Sequence, residues 1–546
     1  MRESLRQSSL HRERATATKP DEDAGRGGFG DVIDPSATPI ATSSAVPLDL
    51  GRRMAKGAAW MIALRIAVRG VGVVSMIILA RLLVPADFGL VAIATALAGA
   101  LAAMSEFGFQ VALIQNQAAD RRLYDTAWTL GLIRGFVVAG ALAIAAGPLA
   151  VMFSDPRLEP ILLLLAGSAI VLAFENIGVV DFRKDLHFQR EFLYRALSKV
   201  ASFAITVPLA IILRNYWALV VGIVAGQLAG VLLSYTMCAY RPRLSLSDWR
   251  ELLRFSKWLL LSNMLFFAYH RVDTFVIGRF AGAQPLGFYR LAYEIASLPT
   301  SEMVAPIRAA ILPGYAKLAI DRERLRAGFA ATFGTIVIVA IPVAVGLGLT
   351  ADPLVRLLLG ERWLDAIPLL EVLCIAGVIN VCTANTWPVF LALGRPWITT
   401  ALMALGVVLL VPLLLWSVPV AGAMGAAWAL VAVAGVVLAG NLLATLRLLR
   451  LSGVQLLAQT WRTVVAVVAM SGAIVVVEAL SPQPERLFDT ALLLACSVVT
   501  GAAAYLVSLW VLWRLTGLKV GPEQTAIWIL RKSLSRVSAR FTLSGG

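Results

Sequence analysis

Charge is scarce in this 546-residue sequence: Asp, Glu, Lys and Arg together make up 15% of it, against 59% apolar residues. Soluble domains carry about 25% charged residues, so a soluble globular chain is excluded. There are three histidines and four cysteines (Cys238, Cys374, Cys382, Cys496), with no Cys-x-x-Cys and no Cys/His grouping. That spacing favours packed, reduced thiols over a disulfide framework or a zinc site, with no metal or cofactor expected. There is no Gly-x-x-x-x-Gly-Lys and not even a Gly-Lys dipeptide, so ATP hydrolysis by this chain is excluded. Long outer loops are lacking too. The largest, residues 350–365, carries Asp352, Glu361 and Asp365 and reads as a solvated re-entry segment, too small for the catalytic domain of a membrane polymerase or glycosyltransferase.

Apolar runs are abundant, and mean hydropathy is +0.80. Windows of about 20 apolar residues, each able as a helix to cross about 30 Å of hydrocarbon, recur along the chain. They are continuous rather than alternating, which indicates helices and not barrel strands. The expected fold class is an all-α polytopic membrane protein of about fourteen spans. The first seven lie near 57–80, 88–115, 126–153, 158–180, 197–213, 216–239 and 256–278. The second seven lie near 286–315, 329–350, 366–393, 397–416, 421–446, 462–480 and 488–513.

The formal charge of +15 follows from this topology and does not indicate a nucleic-acid partner. With a cytoplasmic N-terminus, twenty Lys and Arg residues fall in or beside inner loops and seven in outer ones, which supports both termini inside. Residues 1–53 are too polar to bury a core and read as a disordered cytoplasmic tail without a signal peptide. Residues 516–546, with Trp528 and Ile529 among Lys519, Arg531 and Lys532, read as a basic amphipathic tail on the inner leaflet.

An internal repeat divides the rest. A shift of 198 places Trp60 on Trp258, Arg81 on Arg279 and Gly89 on Gly287, and Asp155-Pro156 falls on Asp352-Pro353 at 197. Trp217-Ala-Leu-Val220 returns as Trp428-Ala-Leu-Val431 at 211, so the second copy gained residues, most simply at 360–367. Each copy holds six spans, an even number, so the copies insert in the same orientation about an axis along the membrane normal. The expected units are 54–245 (first lobe), 246–450 (second lobe) and 451–515 (two extra helices).

The stretches 80–92 (ARLLVPADFGLVA), 105–115 (SEFGFQVALIQ) and 273–289 (DTFVIGRFAGAQPLGFY), with the Tyr216-Trp217-Ala-Leu-Val220 turn, carry a family resemblance. Over about residues 54–515 the chain resembles the polysaccharide-transport branch, the Wzx-type flippases, of the multidrug/oligosaccharidyl-lipid/polysaccharide superfamily. The resemblance implies a MATE-like pair of lobes and alternating access around a central cavity. It implies an undecaprenyl-pyrophosphate-linked oligosaccharide as substrate, moved from the cytoplasmic to the periplasmic leaflet of the bacterial inner membrane for exopolysaccharide, capsule or O-antigen assembly. The implied partners are that lipid-linked oligosaccharide, the membrane, and the polymerase and glycosyltransferases of the same pathway. A cation-coupled drug antiporter of the same superfamily is the alternative.

Charges inside spans cost about 2.5–3.5 kcal/mol each against lipid, so they should face a cavity or a partner. Arg65 and Arg69, four apart on the first span, form a cation pair suited to a pyrophosphate; Arg65 can snorkel to the interface, whereas Arg69 is too deep. Glu106 interrupts the second span, and Arg134 and Glu175 stand singly in the third and fourth. His270 and Asp273 share a face of the seventh span, and Arg271 points elsewhere and needs a partner such as Glu302 or Glu106. Structural pairing and substrate or proton handling are both open for these three. In the eighth span Glu294, Glu302 and Arg308 are interleaved with Pro299 and Pro306, the pattern of a broken helix. Gly222, Gly226 and Gly230 make a close-packing face. Arg69→Ala is expected to abolish surface polysaccharide while the protein still inserts; full polysaccharide production by that variant excludes Arg69 from an anion site.

Overall fold

In the computed structural model of the chain the described residues are 68–185, 187–481 and 486–517, and the side chains of 251, 253–259, 305, 306, 308–310, 312 and 313 lie outside them. The expected tail 1–53, all of the expected tail 516–546 beyond Gly517, and Arg65 fall outside the described residues, as does the side chain of Arg308.

All regular structure among the described residues is helical. The first half runs α1 (68–82), α2 (Pro85–Met104), α3 (Phe109–Gln115), α4 (Arg121–Met152), α5 (Leu158–Ala173), α6 (Asp181–Lys184), α7 (Phe188–Leu213) and α8 (Trp217–Met237). The second half runs α9 (Trp249–Phe280), α10 (Ala283–Ala296), α11 (Ala305–Leu318), α12 (Arg322–Leu349), α13 (Ala351–Leu358), α14 (Ile367–Thr383), α15 (Thr386–Ala392) and α16 (Trp397–Leu449). Two further helices follow, α17 (Gly453–Leu480) and α18 (Leu487–Leu515). Several starts are written locally. Pro85 opens α2, Asp120 accepts from Leu123 N at 3.0 Å to cap α4, and Ser452 with Gln455 forms a capping box on α17.

Among the described residues nine helices are long and apolar enough to cross a membrane, or ten if the bent pair of α5 with residues 177–184 is one span. Each of the fourteen expected segments overlaps a helix or a broken helix, so the count is consistent with the structure; the differences are breaks. The expected span 88–115 stops at Met104 and restarts at Phe109, with Gly108 in the left-handed region at φ 68°. The fourth span bends by 74° near Asn176. Pro299–Val304 winds as a π-turn between α10 and α11, where the two prolines predicted a broken ladder. Non-helical Ala421 and Gly422 separate the eleventh and twelfth spans inside α16.

Lipid is as apolar as a protein core, so helices in a membrane associate through close fit more than through hydrophobic transfer. The closest fit lies between α2 and α10. A Cβ on Gly89 would overlap the carbonyl oxygen of Ala283, and a Cβ on Gly287 would overlap that of Pro85. The shift that carries Gly89 to Gly287 also carries Pro85 to Ala283, so the two contacts are copies of each other, as a two-fold crossing requires. Leu90, Ile93 and Ala94 of α2 and Leu286, Tyr289 and Ala292 of α10 are buried around it in one continuous core. The α7–α8 pair uses the same device: Cβ atoms on Gly222 and Gly226 would collide with Thr206 and Ser202, and the Ser202 hydroxyl donates to Gly222 O at 2.8 Å. The two extra helices dock on α12, where the Tyr505 hydroxyl donates to Ile338 O at 2.6 Å. All four cysteines are free; Cys238 and Cys374 are buried, Cys382 half-buried, and Cys496 lies exposed on α18.

Gly89→Leu is expected to cost about 1–3 kcal/mol by forcing α2 and α10 apart. Gly140→Leu, at an exposed site with nothing within 4 Å, should be silent. Thermal unfolding of the detergent-solubilised variants measures both.

Candidate functional site: a central cavity with one sealed end

A cavity of ≈ 1610 Å³ lies between α1, α2, α7, α8, α9 and α10, with α3, α5 and α6 completing its wall. Its wall runs from Arg69, Arg183, Arg195 and Glu302 at one end to Leu79, Phe88 and Thr206 at the other. The second end is sealed where α1 turns into α2. Trp363 is fully buried there, with its ring edge-on to Phe88 at 5.2 Å and to Phe288 at 5.9 Å. Its indole N–H donates to Ala80 O at 2.8 Å. The Arg81 guanidinium adds bonds to the carbonyls of Leu358, at 3.1 Å, and of Leu357. These contacts revise the reading of residues 350–365. The segment is not a solvated loop but α13 followed by a 3-10 turn, Glu361–Ala366, driven into the seam because its indole fills the space between two phenyl rings. That turn falls where the sequence repeat places its extra residues, 360–367.

The sequence-predicted charges separate into three groups. The first is an ion-pair cluster: Arg69 binds Glu294 at 2.6 Å and approaches Glu302 at 3.2 Å, and Ser301 donates to Glu302 at 3.0 Å. All three charged groups line the cavity. Arg69 therefore bridges α1 to the last turns of α10 and to the π-turn itself, and its charge is offset by two carboxylates.

A second group is anchored away from one another. Glu106 pairs with Arg134 and also accepts from Gly108 N at 3.3 Å, so the acid that interrupts the expected second span sits in the break after α2, where its carboxylate closes the turn. Asp273 is 4% exposed and accepts from Thr274 N at 2.7 Å and from the Tyr289 hydroxyl at 2.9 Å. Its lone pairs are spent on the fold, and it is not among the groups lining the cavity. His270 rests against Phe266, with ring centroids 4.5 Å apart, and Tyr269. Glu175 lines the cavity and takes the Tyr194 hydroxyl.

The third group is Arg271, which faces the cavity together with Arg290 of α10. The carboxylates expected to pair with Arg271 are engaged elsewhere, Glu302 with Arg69 and Glu106 with Arg134. Among the described residues neither Arg271 nor Arg290 forms an ion pair. Arg290 lies over the Tyr293 ring at 5.2 Å, and its Nη1 is buried without a hydrogen-bond partner. Arg290 escaped the sequence reading although it lies four residues before Glu294 in the same span, the spacing that flagged Arg65 and Arg69. The sequence reading places Arg183, Arg195 and Lys199 in or beside an inner loop, because hydropathy ends the fourth span at 180 and starts the fifth at 197, and it leaves Glu191 unassigned. In the structure α7 begins at Phe188, which carries Glu191, Arg195 and Lys199 up the cavity wall.

Residues 78–368 match the family described as "Polysaccharide biosynthesis protein". The chain is 25% identical over 386 residues to the lipopolysaccharide biosynthesis protein WzxC of Escherichia coli (strain K12), covering 69% of this chain and 78% of that one. It is 24% identical over 352 residues to the succinoglycan biosynthesis transport protein ExoT of Rhizobium meliloti (strain 1021), covering 63% and 69%. Among solved structures it resembles the lipid II flippase MurJ in an inward closed conformation at TM-score 0.66 and 13% identity, over 84% of this chain and 98% of that one. An inward-facing MATE multidrug resistance transporter matches at TM-score 0.55 and 16% identity, over 71% and 94%. At these identities the structures speak for the fold, which is that of the two-lobed MATE-like transporters.

Removing the plug should open the sealed end. In a background lacking the four native cysteines, Ala92→Cys on the cavity wall is expected to resist a membrane-impermeant thiol reagent applied from the α1–α2 side. Adding Trp363→Ala should make it reactive; unchanged protection would assign the seal to other residues.

Proposed function

Because the chain belongs to the polysaccharide biosynthesis protein family, we propose that this multi-pass membrane protein moves a lipid-linked oligosaccharide across the bilayer by alternating access. The cargo in this reading is an undecaprenyl-pyrophosphate-linked repeat unit, passed from the cytoplasmic to the periplasmic leaflet of the bacterial inner membrane, with both termini cytoplasmic. Residues 54–245 and 246–450 act as the two lobes and 451–515 as an accessory pair. The chain acts as a carrier with no enzymatic step, and it works beside the polymerase and glycosyltransferases that consume and supply its cargo.

The observation that carries this reading is Arg271 and Arg290, two half-buried arginines on the cavity wall that form no ion pair among the described residues. Burying a cation without a partner is costly and persists where a ligand supplies the opposite charge. Two guanidiniums suit a pyrophosphate, which accepts their forked donors in pairs. Arg69 belongs to the same path. Its charge is already offset by Glu294 and Glu302, so an arriving anion must compete with them. The same pairing weakens the alternative of a cation-coupled drug antiporter, because the carboxylates such a carrier would offer its substrate are neutralised. Glu106, Arg134, Asp273 and His270 hold the helices in this assignment, and the inside-negative potential drives the anion outward with about 2.3 kcal/mol per charge per 100 mV.

In proteoliposomes, Arg271→Gln and Arg290→Gln are each expected to cut translocation of a fluorescent lipid-linked oligosaccharide by about tenfold or more, the worth of one charge-assisted hydrogen bond, with unfolding temperatures close to that of the parent. Undiminished translocation in the double variant removes the pair from the mechanism.

A further inference from the structure

The cavity holds a second group of cations that the deep site does not use. Arg183 on α6 and Arg195 and Lys199 on α7 line its open mouth. Two of them are fixed by one acid. Glu191 is 3% exposed, and its carboxylate accepts from Arg183 Nε at 3.0 Å, from Arg183 Nη2 at 2.9 Å and from Arg195 Nε. The Arg183 and Arg195 side chains are nevertheless 41% and 48% exposed, so their remaining N–H donors are open to the cavity. A buried carboxylate spent on orienting two half-exposed guanidiniums is an arrangement that snorkelling charges at a membrane surface do not need. Snorkelling cations point into headgroups and water with no fixed partner. The local balance is positive, with Arg183, Arg195 and Lys199 set against Glu191 and against Glu175, which the Tyr194 hydroxyl already engages.

Position along the helices separates this cluster from the deep pair. Arg195 lies about 27 Å before the Leu213 end of α7, and Arg271 lies about 14 Å before the Phe280 end of α9, at about 1.5 Å per residue. Both helices end at the sealed side, so the two cation groups stand apart along the cavity. We propose that Arg183, Arg195 and Lys199, oriented by buried Glu191, form a separate mouth site for a phosphate or pyrophosphate headgroup, which captures the anion before it reaches Arg271 and Arg290. The assignment rests on the flippase reading for its place in a cycle, but the site itself stands on the geometry. Glu191 is a positioning residue in it, and the three cations make the contacts. Two sites in series let the ligand pass inward by exchanging one set of donors for another, without leaving a charge bare between them.

The test uses the full chain in nanodiscs of zwitterionic lipid. Native mass spectrometry measures binding of undecaprenyl pyrophosphate, with inorganic pyrophosphate and phosphatidylglycerol as separate probes. Arg183→Gln combined with Arg195→Gln is expected to weaken undecaprenyl pyrophosphate binding by about tenfold to a hundredfold, as loss of charge-assisted hydrogen bonds dictates. Lys199→Gln should do so less, because its ammonium is a point charge without a fork. Glu191→Gln should weaken binding although it removes a negative charge, an effect opposite to simple electrostatics. If Glu191→Gln fails to fold, the arginine and lysine variants decide alone.

In the transport assay the mouth variants should raise the half-saturating lipid concentration by a larger factor than they lower the maximal rate, and Arg271→Gln should do the reverse. Unchanged binding in the double arginine variant overturns the site. So does a variant that releases phosphatidylglycerol but keeps undecaprenyl pyrophosphate, since the cluster would then be a bilayer anchor. Binding of inorganic pyrophosphate alone, lost in the same variants, supports the site as a general diphosphate receptor. If the unaltered protein binds undecaprenyl pyrophosphate at the mouth yet translocates no lipid-linked sugar, the mouth site stands and the flippase reading falls.

Discussion

The crossing of α2 and α10 sets the terms for everything around it. Two glycines, Gly89 and Gly287, let each helix place a carbonyl where the other would carry a side chain, so the two backbones touch. A contact that close fixes the spacing of the repeats at one end of the molecule. Everything the cavity needs at that end follows, including the fully buried indole of Trp363 and the Arg81 bonds across the seam. Away from the crossing the helices diverge, and the space between them becomes the cavity. The chemistry of the site is thus downstream of a steric fact about two residues without side chains.

Charge in the cavity is arranged by the same economy. Carboxylates that could have neutralised every arginine are instead committed to particular ones: Glu294 and Glu302 to Arg69, Glu106 to Arg134, and Glu191 to Arg183 and Arg195. Arg271 and Arg290 are left over. In the function proposed above, that remainder is where an anionic cargo comes to rest.

Much of this was legible in the chain. Hydropathy and loop charge marked the fourteen segments, and the 198-residue shift between Gly89 and Gly287 anticipated the reciprocal crossing without showing that the glycines meet. Pro299 and Pro306 forecast the broken eighth span, and Arg69, Glu294 and Glu302 were singled out before their pairing was known. What could not be read was tertiary. Asp273 looks the same in sequence whether it faces a cavity or, as here, the Tyr289 hydroxyl and its own helix. Hydropathy could not see that α7 starts at Phe188, because Glu191, Arg195 and Lys199 lower its average while lying inside the bundle. The role of the 360–367 insertion was hidden for a related reason. A tryptophan among charged residues reads as a surface loop until the rings of Phe88 and Phe288 are known to flank it.

The plug at Trp363 also has an electrical consequence. A cavity of ≈ 1610 Å³ that reaches as far as Phe88 brings aqueous ions deep into the protein, so the transmembrane voltage does not fall evenly across the bilayer. It collapses over the thin dielectric that remains, the layer containing Trp363, Ala80 and the Arg81 contacts. In the function proposed above, an anion at Arg271 and Arg290, about 14 Å from the sealed end of α9, has then crossed about half of the hydrocarbon layer but little of its field. In the proposed cycle most of the electrical work on an anionic cargo is done where it passes the layer held by Trp363. That layer is both the insulation that keeps the idle carrier from leaking ions and the place where voltage can act on its cycle.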